Sequence, residues 1–311
     1  MKKYFFLLFL LAALPLFANE SKQTEIDFTG SLKPGHTYLY RVRSNQTRNC
    51  ELKLLGVAQP PLRRDVREIL LSGKLYYRGE QRTGKEISTE YEFEIFSLQA
   101  TVNGVRKDFP ELTGRTVLVS RKNNKTEYRF RQALTGTELA DAVMGGPAIP
   151  KADGKMEAEA LALFRTVFAP GNDPIMNYMG AKRKMEQGKH LPMDITPILA
   201  ALHQREIPAH KSTVDSFAEY SGVTILEGLP VHRVNLLAQG NGIPGYDFKF
   251  ETSVMIPVKA EDAVHGPVRI SRRVMEVVST LLPEDNPFFS GATLETVSND
   301  MTDLTIQRQK K

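Results

Sequence analysis

Hydrophobic and polar side chains alternate with a period of two along most of the chain. The clearest stretch runs from Tyr246 to Val258, where every second residue is aromatic or β-branched. Because successive side chains of a strand point to opposite faces, this pattern gives a strand one apolar face and one polar face. A single wet face is typical of antiparallel sheets, so we predict antiparallel β-structure.

The same alternation recurs on both sides of the middle of the chain. Turn-forming residues such as Gly84 and Asn123-Asn124 separate neighbouring strands and predict hairpins. The predicted strands cover residues 66–78, 87–95, 117–119, 128–130, 214–220, 231–239, 246–258, 268–281 and 293–308.

A helical pattern interrupts the strands in the middle of the chain. From Lys155 to Ala169, Phe164 and Phe168 fall on one apolar stripe among good helix formers. Asp173-Pro174 and Thr196-Pro197 each resemble an N-cap followed by proline at the first helical position. We therefore predict an α+β fold, mostly antiparallel β. Two β-rich regions, as curved sheets or a half-barrel, flank a helical middle segment.

The predicted organisation has four parts. Residues 1–18 form a signal peptide, 19–145 an N-terminal β-rich region, 146–210 a helical middle region and 211–311 a C-terminal β-rich region. The two β-rich regions either stand apart or join into one domain, and the pattern leaves both arrangements open.

The first eighteen residues have the layout of a cleavable secretory signal. Lys2 and Lys3 precede an uncharged stretch, and Ala18 precedes a polar one. The apolar core is shorter than the roughly 20 residues that span a bilayer. We expect an exported protein, periplasmic or secreted, cleaved near Ala18 and without a transmembrane anchor afterwards. An uncleaved anchor is the alternative, and nothing after Ala18 favours it.

The charge argues against a nucleic-acid-binding protein, and the cysteine content excludes a fold stabilised by internal disulfides. Loss of Lys2 and Lys3 lowers the formal net charge from +5 to +3, which is too small to favour a nucleic-acid partner. The single cysteine, Cys50, cannot form a disulfide within the chain. Stability must therefore come from packing, for which a hydrophobic content of 41% is sufficient.

Two short segments carry a family resemblance. Leu32–Val42 contains a Gly-x-x-Tyr-x-Tyr pattern, and Met185–Asp194 looks like a step from helices to strands. Both resemble uncharacterised exported bacterial proteins that begin with such a strand soon after the signal peptide. The resemblance covers about twenty residues and implies a β-rich envelope protein, with no activity attached. A curved sheet wrapped on helices is also similar to periplasmic lipoprotein carriers, a likeness of fold that does not determine function.

Motifs for common chemistry are missing from the sequence. It has no Gly-x-Ser-x-Gly, His-Glu-x-x-His or Cys-x-x-Cys motif and no glycine-rich phosphate loop. His203, Glu206 and His210 are candidate metal ligands, because imidazole and carboxylate bind zinc. Pro208 interrupts the helix that would align them, so we favour a polar helix end followed by a loop histidine. We expect no metal and no cofactor.

Two functional classes remain. The first is a non-catalytic envelope protein that binds an apolar small molecule or an envelope protein. Its candidate contact residues are the loop pair Phe288 and Phe289 and the aromatic row Tyr246, Phe248 and Phe250. The loop pair folding back onto its own sheet is the structural alternative. The second class is a hydrolase-type enzyme whose dispersed active site leaves no local motif.

A third option is a barrel of strands that crosses a membrane. Glu90, Glu92 and Glu94 place three charges on one strand face. A barrel would accept that density of charge only on its lumen side, so this option is disfavoured.

Overall fold

The computed structural model describes residues 23–28, 32–54, 57–59, 62–83, 86–122, 125–131, 154–168, 182–193, 214–243, 246–259, 267–282 and 292–308. Within these ranges the chain forms fifteen strands, one α-helix (α1, Gly154–Val167) and a short 3₁₀ helix at Pro110–Leu112. The strands are β1 Thr24–Asp27, β2 His36–Leu54, β3 Val57–Ala58, β4 Arg63–Thr83, β5 Glu86–Val102, β6 Val105–Asp108, β7 Thr116–Lys122, β8 Lys125–Phe130, β9 Lys182–Met185, β10 His190–Pro192, β11 Val214–Leu226, β12 Leu229–Ile243, β13 Tyr246–Pro257, β14 Pro267–Leu281 and β15 Thr293–Arg308.

Thirteen of these strands form one antiparallel sheet. Its order is β10-β11-β12-β13-β14-β15-β2-β4-β5-β7-β8, with β3 beside β2 and β6 beside β5. Most neighbours in the sheet are also neighbours in sequence, as expected for strands joined by hairpins. The predicted hairpins around Gly84 and Asn123-Asn124 are confirmed by the register pairs Thr83↔Glu86 and Lys122↔Lys125.

A long pairing between β15 and β2 joins the two β-rich parts of the chain. The register runs without interruption from Thr293↔Lys53 to Arg308↔Tyr38. Both strands also pair on their other edges, β15 with β14 and β2 with β4. The N-terminal and C-terminal strands therefore belong to one continuous sheet.

Helix α1 packs on one face of this sheet, which we call the inner face, against β2, β4 and β8. Phe164 of α1 lies 5.2 Å from Phe93 of β5 and 4.4 Å from Phe168, measured between ring centroids. Tyr40 of β2 completes the cluster, and its hydroxyl donates a hydrogen bond of 3.2 Å to the carbonyl of Val167. All these rings are buried, so the predicted apolar stripe of the helix is confirmed as its packing surface.

The pair of strands β1 and β9 forms a second, smaller sheet. Its register runs from Thr24↔Met185 to Asp27↔Lys182. Ile26, Phe28 and Met185 are buried and belong to the same hydrophobic core as the large sheet. This small sheet and α1 together form a second layer over the inner face, and we call the opposite face the outer face.

The prediction of an α+β fold with a helical middle segment is wrong. Its β component is antiparallel as expected, but within the described part of residues 146–210 only α1 is helical, and 182–185 and 190–192 are strands. The reason is tertiary: β9 pairs with β1 and β10 pairs with β11. The predicted helix starts at Asp173 and Thr196 lie outside the described residues.

One polar side chain of the inner face lies in the core. Thr252 of β13 is 3% exposed, and its Oγ1 has no hydrogen-bond partner among the residues that the structure describes. Its flanking inner-face residues, Phe250 and Val254, are fully buried. A buried hydroxyl without a partner loses its hydration and gains nothing in return.

Replacing Thr252 by valine, which has nearly the same shape, should therefore raise the free energy of unfolding by about 1–2 kcal/mol. Urea denaturation of the two proteins measures the difference. Thr224→Val, at an exposed position of β11, is the matched control and should change stability by less than about 0.5 kcal/mol. A loss of stability in Thr252→Val would show that the hydroxyl makes a contact in solution.

Candidate functional site

The predicted aromatic row lies on the inner face of β13. Phe248 and Phe250 are 4% and 0% exposed and belong to the hydrophobic core. The Phe248 ring covers Gly240 of β12 so closely that a Cβ at that glycine would come within 2.2 Å of the ring. Tyr246 is half-buried, and its hydroxyl donates a hydrogen bond to the carboxylate of Glu276. As folded, only Tyr246 of the three has appreciable exposed surface.

The other predicted site residues lie outside the described residues. These are Phe288, Phe289, His203, Glu206 and His210. The chain on either side of the phenylalanine pair is described: the Leu282 amide donates a hydrogen bond of 2.9 Å to the Ala292 carbonyl.

Within the described ranges, no group of three or more His, Cys, Asp and Glu residues is placed to hold a metal ion.

A buried histidine that sequence reasoning did not single out lies near β1. His232 of β12 and Tyr220 of β11 are 6% and 4% exposed, and a hydrogen bond of 3.0 Å joins His232 Nδ1 to Tyr220 Oη. Burial lowers the pKa of His232. Burial also raises the pKa of Tyr220, and a hydrogen bond with the Thr24 side chain acts in the opposite direction. The pair is a polar contact within the core, between the large and the small sheet.

The depressed pKa of His232 predicts a loss of stability in weak acid. Above a pH of about 6.5 both the folded and the unfolded protein hold a neutral imidazole. As the pH falls through this value towards the folded pKa, the unfolded chain binds a proton that the folded chain resists, so stability is lost over that window. His232→Gln should show a shallower decline between pH 7.5 and pH 5 in urea denaturation. Equal declines in the two proteins would contradict this role of His232.

The structure contains an open groove of about 410 Å³ on the outer face, across β11 to β15. Its floor is a row of short side chains aligned by the register: Asn235 faces Ser253, and Ser253 faces Ser271. The side chains of the neighbouring row are longer: Leu237 and Arg273 each face Glu251. A furrow forms because short side chains are flanked by long ones. With strands about 4.8 Å apart, five strands make it about 19 Å long.

Three arginines line the groove, and two of them, Arg233 and Arg273, occupy strand positions on opposite sides of the floor row. Arg233 Nε donates to Ser253 Oγ at 3.3 Å, and Arg273 Nε donates to Asn299 Oδ1 at 3.2 Å. Both partners are neutral, and in the described part of the chain neither arginine has a carboxylate within ion-pair distance. A charge without a partner on a solvated surface is available to an anion.

The acidic residues of the groove have basic neighbours. Glu251 lies 2.6 Å from Lys249 Nζ, and Asp303 lies 3.7 Å from Arg269. Glu219 lies 4.0 Å from His190 Nε2. Among the described residues, Arg233 and Arg273 are groove arginines without an ion partner.

Apolar side chains lie towards both ends of the groove. At the β11 end, Phe217 faces Leu237 across the strand pair, and its ring stacks on His190 with centroids 3.8 Å apart. At the β15 end, Met301 is 44% exposed. The groove thus combines a polar floor, a cationic centre and apolar ends.

The groove was missed by sequence reasoning because its residues are the polar partners in the alternating pattern. They were interpreted as the wet face of a sheet, without regard to side-chain length. The sequence signal for the groove is a pair of serines, Ser253 and Ser271, on predicted strands. The neighbouring outward-facing positions of those strands include arginine and glutamate. Using that signal requires knowing the strand register.

Comparisons with known proteins identify no family. No protein-family model matches the chain, and no curated protein matches it.

Among solved structures, an outer membrane channel from Pseudomonas putida F1 is 9% identical, covers 89% of this chain and 97% of its own, and has a TM-score of 0.23. P47 from Clostridium botulinum A2 is 8% identical over 89% of this chain and 81% of its own, with a TM-score of 0.18. OccK7 from Pseudomonas aeruginosa is 8% identical over 88% of this chain and 99% of its own, with a TM-score of 0.22. Likenesses at this level carry no argument about this chain.

In the part of the chain that the structure describes, no helix has both the length and the apolar character needed to cross a membrane.

Proposed function

We propose that this chain is an exported, non-catalytic envelope protein that binds a partner in the groove on the outer face of its sheet. The observation that carries the proposal is the groove itself: Arg233 and Arg273, which have no carboxylate partner in the described structure, line it together with Ser253 and Ser271. The volume of the groove, about 410 Å³, lies within the range of roughly 300–1,000 Å³ that is typical of ligand pockets.

Export is supported by the layout of residues 1–18, with a basic start, an uncharged apolar centre and Ala18 before a polar stretch. Mass spectrometry of the protein from its native cells tests this part of the proposal. A mature chain that begins close to position 19 is expected, and an intact N-terminus would contradict export.

Three of the residues that line the groove are of types common in protein interfaces. Phenylalanine, methionine and arginine are the residue types enriched in protein interfaces, and Phe217, Met301 and Arg273 line the groove. A cleft that held His203, Glu206 and His210 together would favour the hydrolase alternative with its dispersed active site, and these three residues lie outside the described residues. The aromatic row with Phe288 and Phe289 stays a second proposed contact region, and Tyr246 is the half-buried member of that row.

Photo-cross-linking in the native host tests the binding role. The cross-linker p-benzoylphenylalanine replaces Met301, which is 44% exposed in the groove, or Val105, which is 62% exposed on β6. We expect a defined adduct from position 301 only. The adduct should disappear in Ser271→Trp, which fills the floor, and persist in Ser120→Trp on the outer face of β7. Absence of an adduct, or an adduct unaffected by Ser271→Trp, would refute binding in the groove.

A further inference from the structure

We infer that this chain forms a two-fold symmetric dimer in which β11 of one copy pairs with β11 of a second copy. The inference goes beyond the proposed function, since it concerns one edge of the sheet and requires no ligand in the groove. Three features support it: an uncovered apolar edge, the contrast with the opposite edge of the same sheet, and a backbone register that fits itself.

The edge of β11 that faces away from β12 is covered along its first part. β10 pairs with it as far as His190↔Glu219, and Gln187 then forms a bridge to Tyr220. The Gln187 side chain donates a hydrogen bond of 3.3 Å to the carbonyl of Ser221. Beyond Ser221, no strand among the described residues pairs with this edge.

The uncovered part of β11 carries apolar side chains and no charge. Val223 and Ile225 are 56% and 66% exposed, and the chain from Tyr220 to Leu226 has neither a charged residue nor a proline. β-branched side chains and low charge are typical of segments that pair with other strands. An edge of this kind is a template for a further strand.

The opposite edge of the sheet is protected against such pairing. There the described sheet ends at β8, on which Glu127 and Arg129 are exposed. Charged side chains on an edge strand disfavour pairing with another chain. Because the sequence from Val223 to Leu226 has no such residue, this edge is suited to being covered in the assembled protein.

The uncovered backbone groups belong to Val223 and Ile225. A two-residue turn joins β11 to β12, and Leu226↔Leu229 is the register pair that closes it. The residues that flank such a turn are hydrogen-bonded to each other, so the backbone groups of Leu226 point towards β12. Backbone groups of successive residues in a strand point to alternate sides. Those of Val223 and Ile225 therefore point away from β12.

A two-fold axis at Thr224 pairs all of these groups at once. Val223 of one copy then faces Ile225 of the other, on both sides of the axis, and each such pair exchanges two backbone hydrogen bonds. An axis at Val223 or at Ile225 would pair only one of the two residues. Directly opposite side chains lie on the same face, so the exposed valine and isoleucine cover each other. The edge therefore fits a second copy of itself, with the isologous contact that is typical of dimers.

Disulfide trapping tests this register in the mature protein. In a Cys50→Ser background, Thr224→Cys places a thiol at the axis, where directly opposite Cα atoms are about 4.5 Å apart. A disulfide can form at that separation, so oxidation with copper phenanthroline should convert most of the protein into a covalent dimer on a non-reducing gel. Thr126→Cys, at an exposed threonine of the protected edge strand β8, is the matched control and should stay monomeric on that gel.

Analytical ultracentrifugation without oxidant tests the edge itself. The mature chain should sediment as a dimer. The double variant Val223→Lys, Ile225→Lys should sediment as a monomer with an unchanged circular dichroism spectrum, because two lysines on the edge would have to face each other's apolar partners. Thr126→Lys should remain a dimer.

Three results would overturn the inference: a monomeric mature chain, a dimer that the double lysine variant leaves intact, or a Thr224→Cys protein that does not cross-link to itself. A cross-link from Thr224→Cys to a different protein in native cells would assign this edge to another partner and also overturn the dimer. The photo-adduct at position 301 is measured independently of these results, so the proposed function is tested separately.

Discussion

Phe164→Ala is expected to lower the free energy of unfolding by about 3–5 kcal/mol, the cost of emptying a phenylalanine site in a packed core. Phe164 is 1% exposed and lies at the centre of the contact between α1 and the sheet, with Phe93 at 5.2 Å and Phe168 at 4.4 Å. The rings around it meet edge-on or stacked, so truncation removes specific aromatic contacts as well as buried area. Urea denaturation of the mature chain measures the change.

Phe96→Ala is the matched control for that substitution. Phe96 lies on β5 only a few positions from Phe93, but it is 39% exposed. Its truncation should cost less than about 1 kcal/mol. If the two substitutions cost the same, the packing of α1 on the inner face would be contradicted.

Gly73→Ala is expected to destabilise the protein by about 3 kcal/mol, at the upper end of the range for overpacked cores. A Cβ at Gly73 would lie 2.3 Å from the main-chain oxygen of Glu94 and 2.4 Å from Cε1 of Phe93. The oxygen belongs to the neighbouring strand and cannot move without distorting the sheet. The glycine lies where the register of β4 and β5 shifts, so its lack of a side chain lets Phe93 lie over the strand.

Gly154→Ala provides the comparison. Gly154 begins α1, and a Cβ there would meet nothing within 4 Å. Alanine is the better helix former by about 1 kcal/mol, so this substitution should be neutral or stabilising. A neutral Gly73→Ala would mean that Phe93 is not seated over that glycine in solution.

Strands with one buried face were predictable from the sequence. The expected strand over 246–258 corresponds to β13, Tyr246–Pro257, in which every second residue from Phe248 to Ile256 is buried. The alternation of apolar and polar residues in such a strand indicates which side chains point inward. A shift of the strand register by one residue would turn the apolar side chains outward. Local sequence is sufficient for such strands.

The second half of β2 was not predictable in this way. From Arg43 to Asn49 the strand is almost entirely polar, so it has no alternation of hydrophobicity. It is a strand because β15 pairs along one edge and β4 along the other. Such support comes from residues far away in the sequence and leaves no local pattern.

The error in the middle of the chain has the same origin. The segment Lys182–Met185 is short, basic and close to helix-start signals, and it forms β9 by pairing with β1 near the N-terminus. Cross-strand pairing of this kind overrides local propensity.

The groove required even more distant information. Its shape depends on the lengths of side chains brought side by side on five strands, from Phe217 on β11 to Met301 on β15. The alternation of β13 predicted correctly that Glu251 and Ser253 face away from the core. It did not indicate that two arginines would border a floor of serines, since that depends on the register of β12 to β14.

A crystal structure of the mature protein purified from its native cells, together with whatever it carries, is the most direct test of the central claim. Binding in the outer groove predicts density for a bound molecule over Ser253 and Ser271. Density for a bound molecule on the inner face near Tyr246, with the groove filled only by water, would contradict the account.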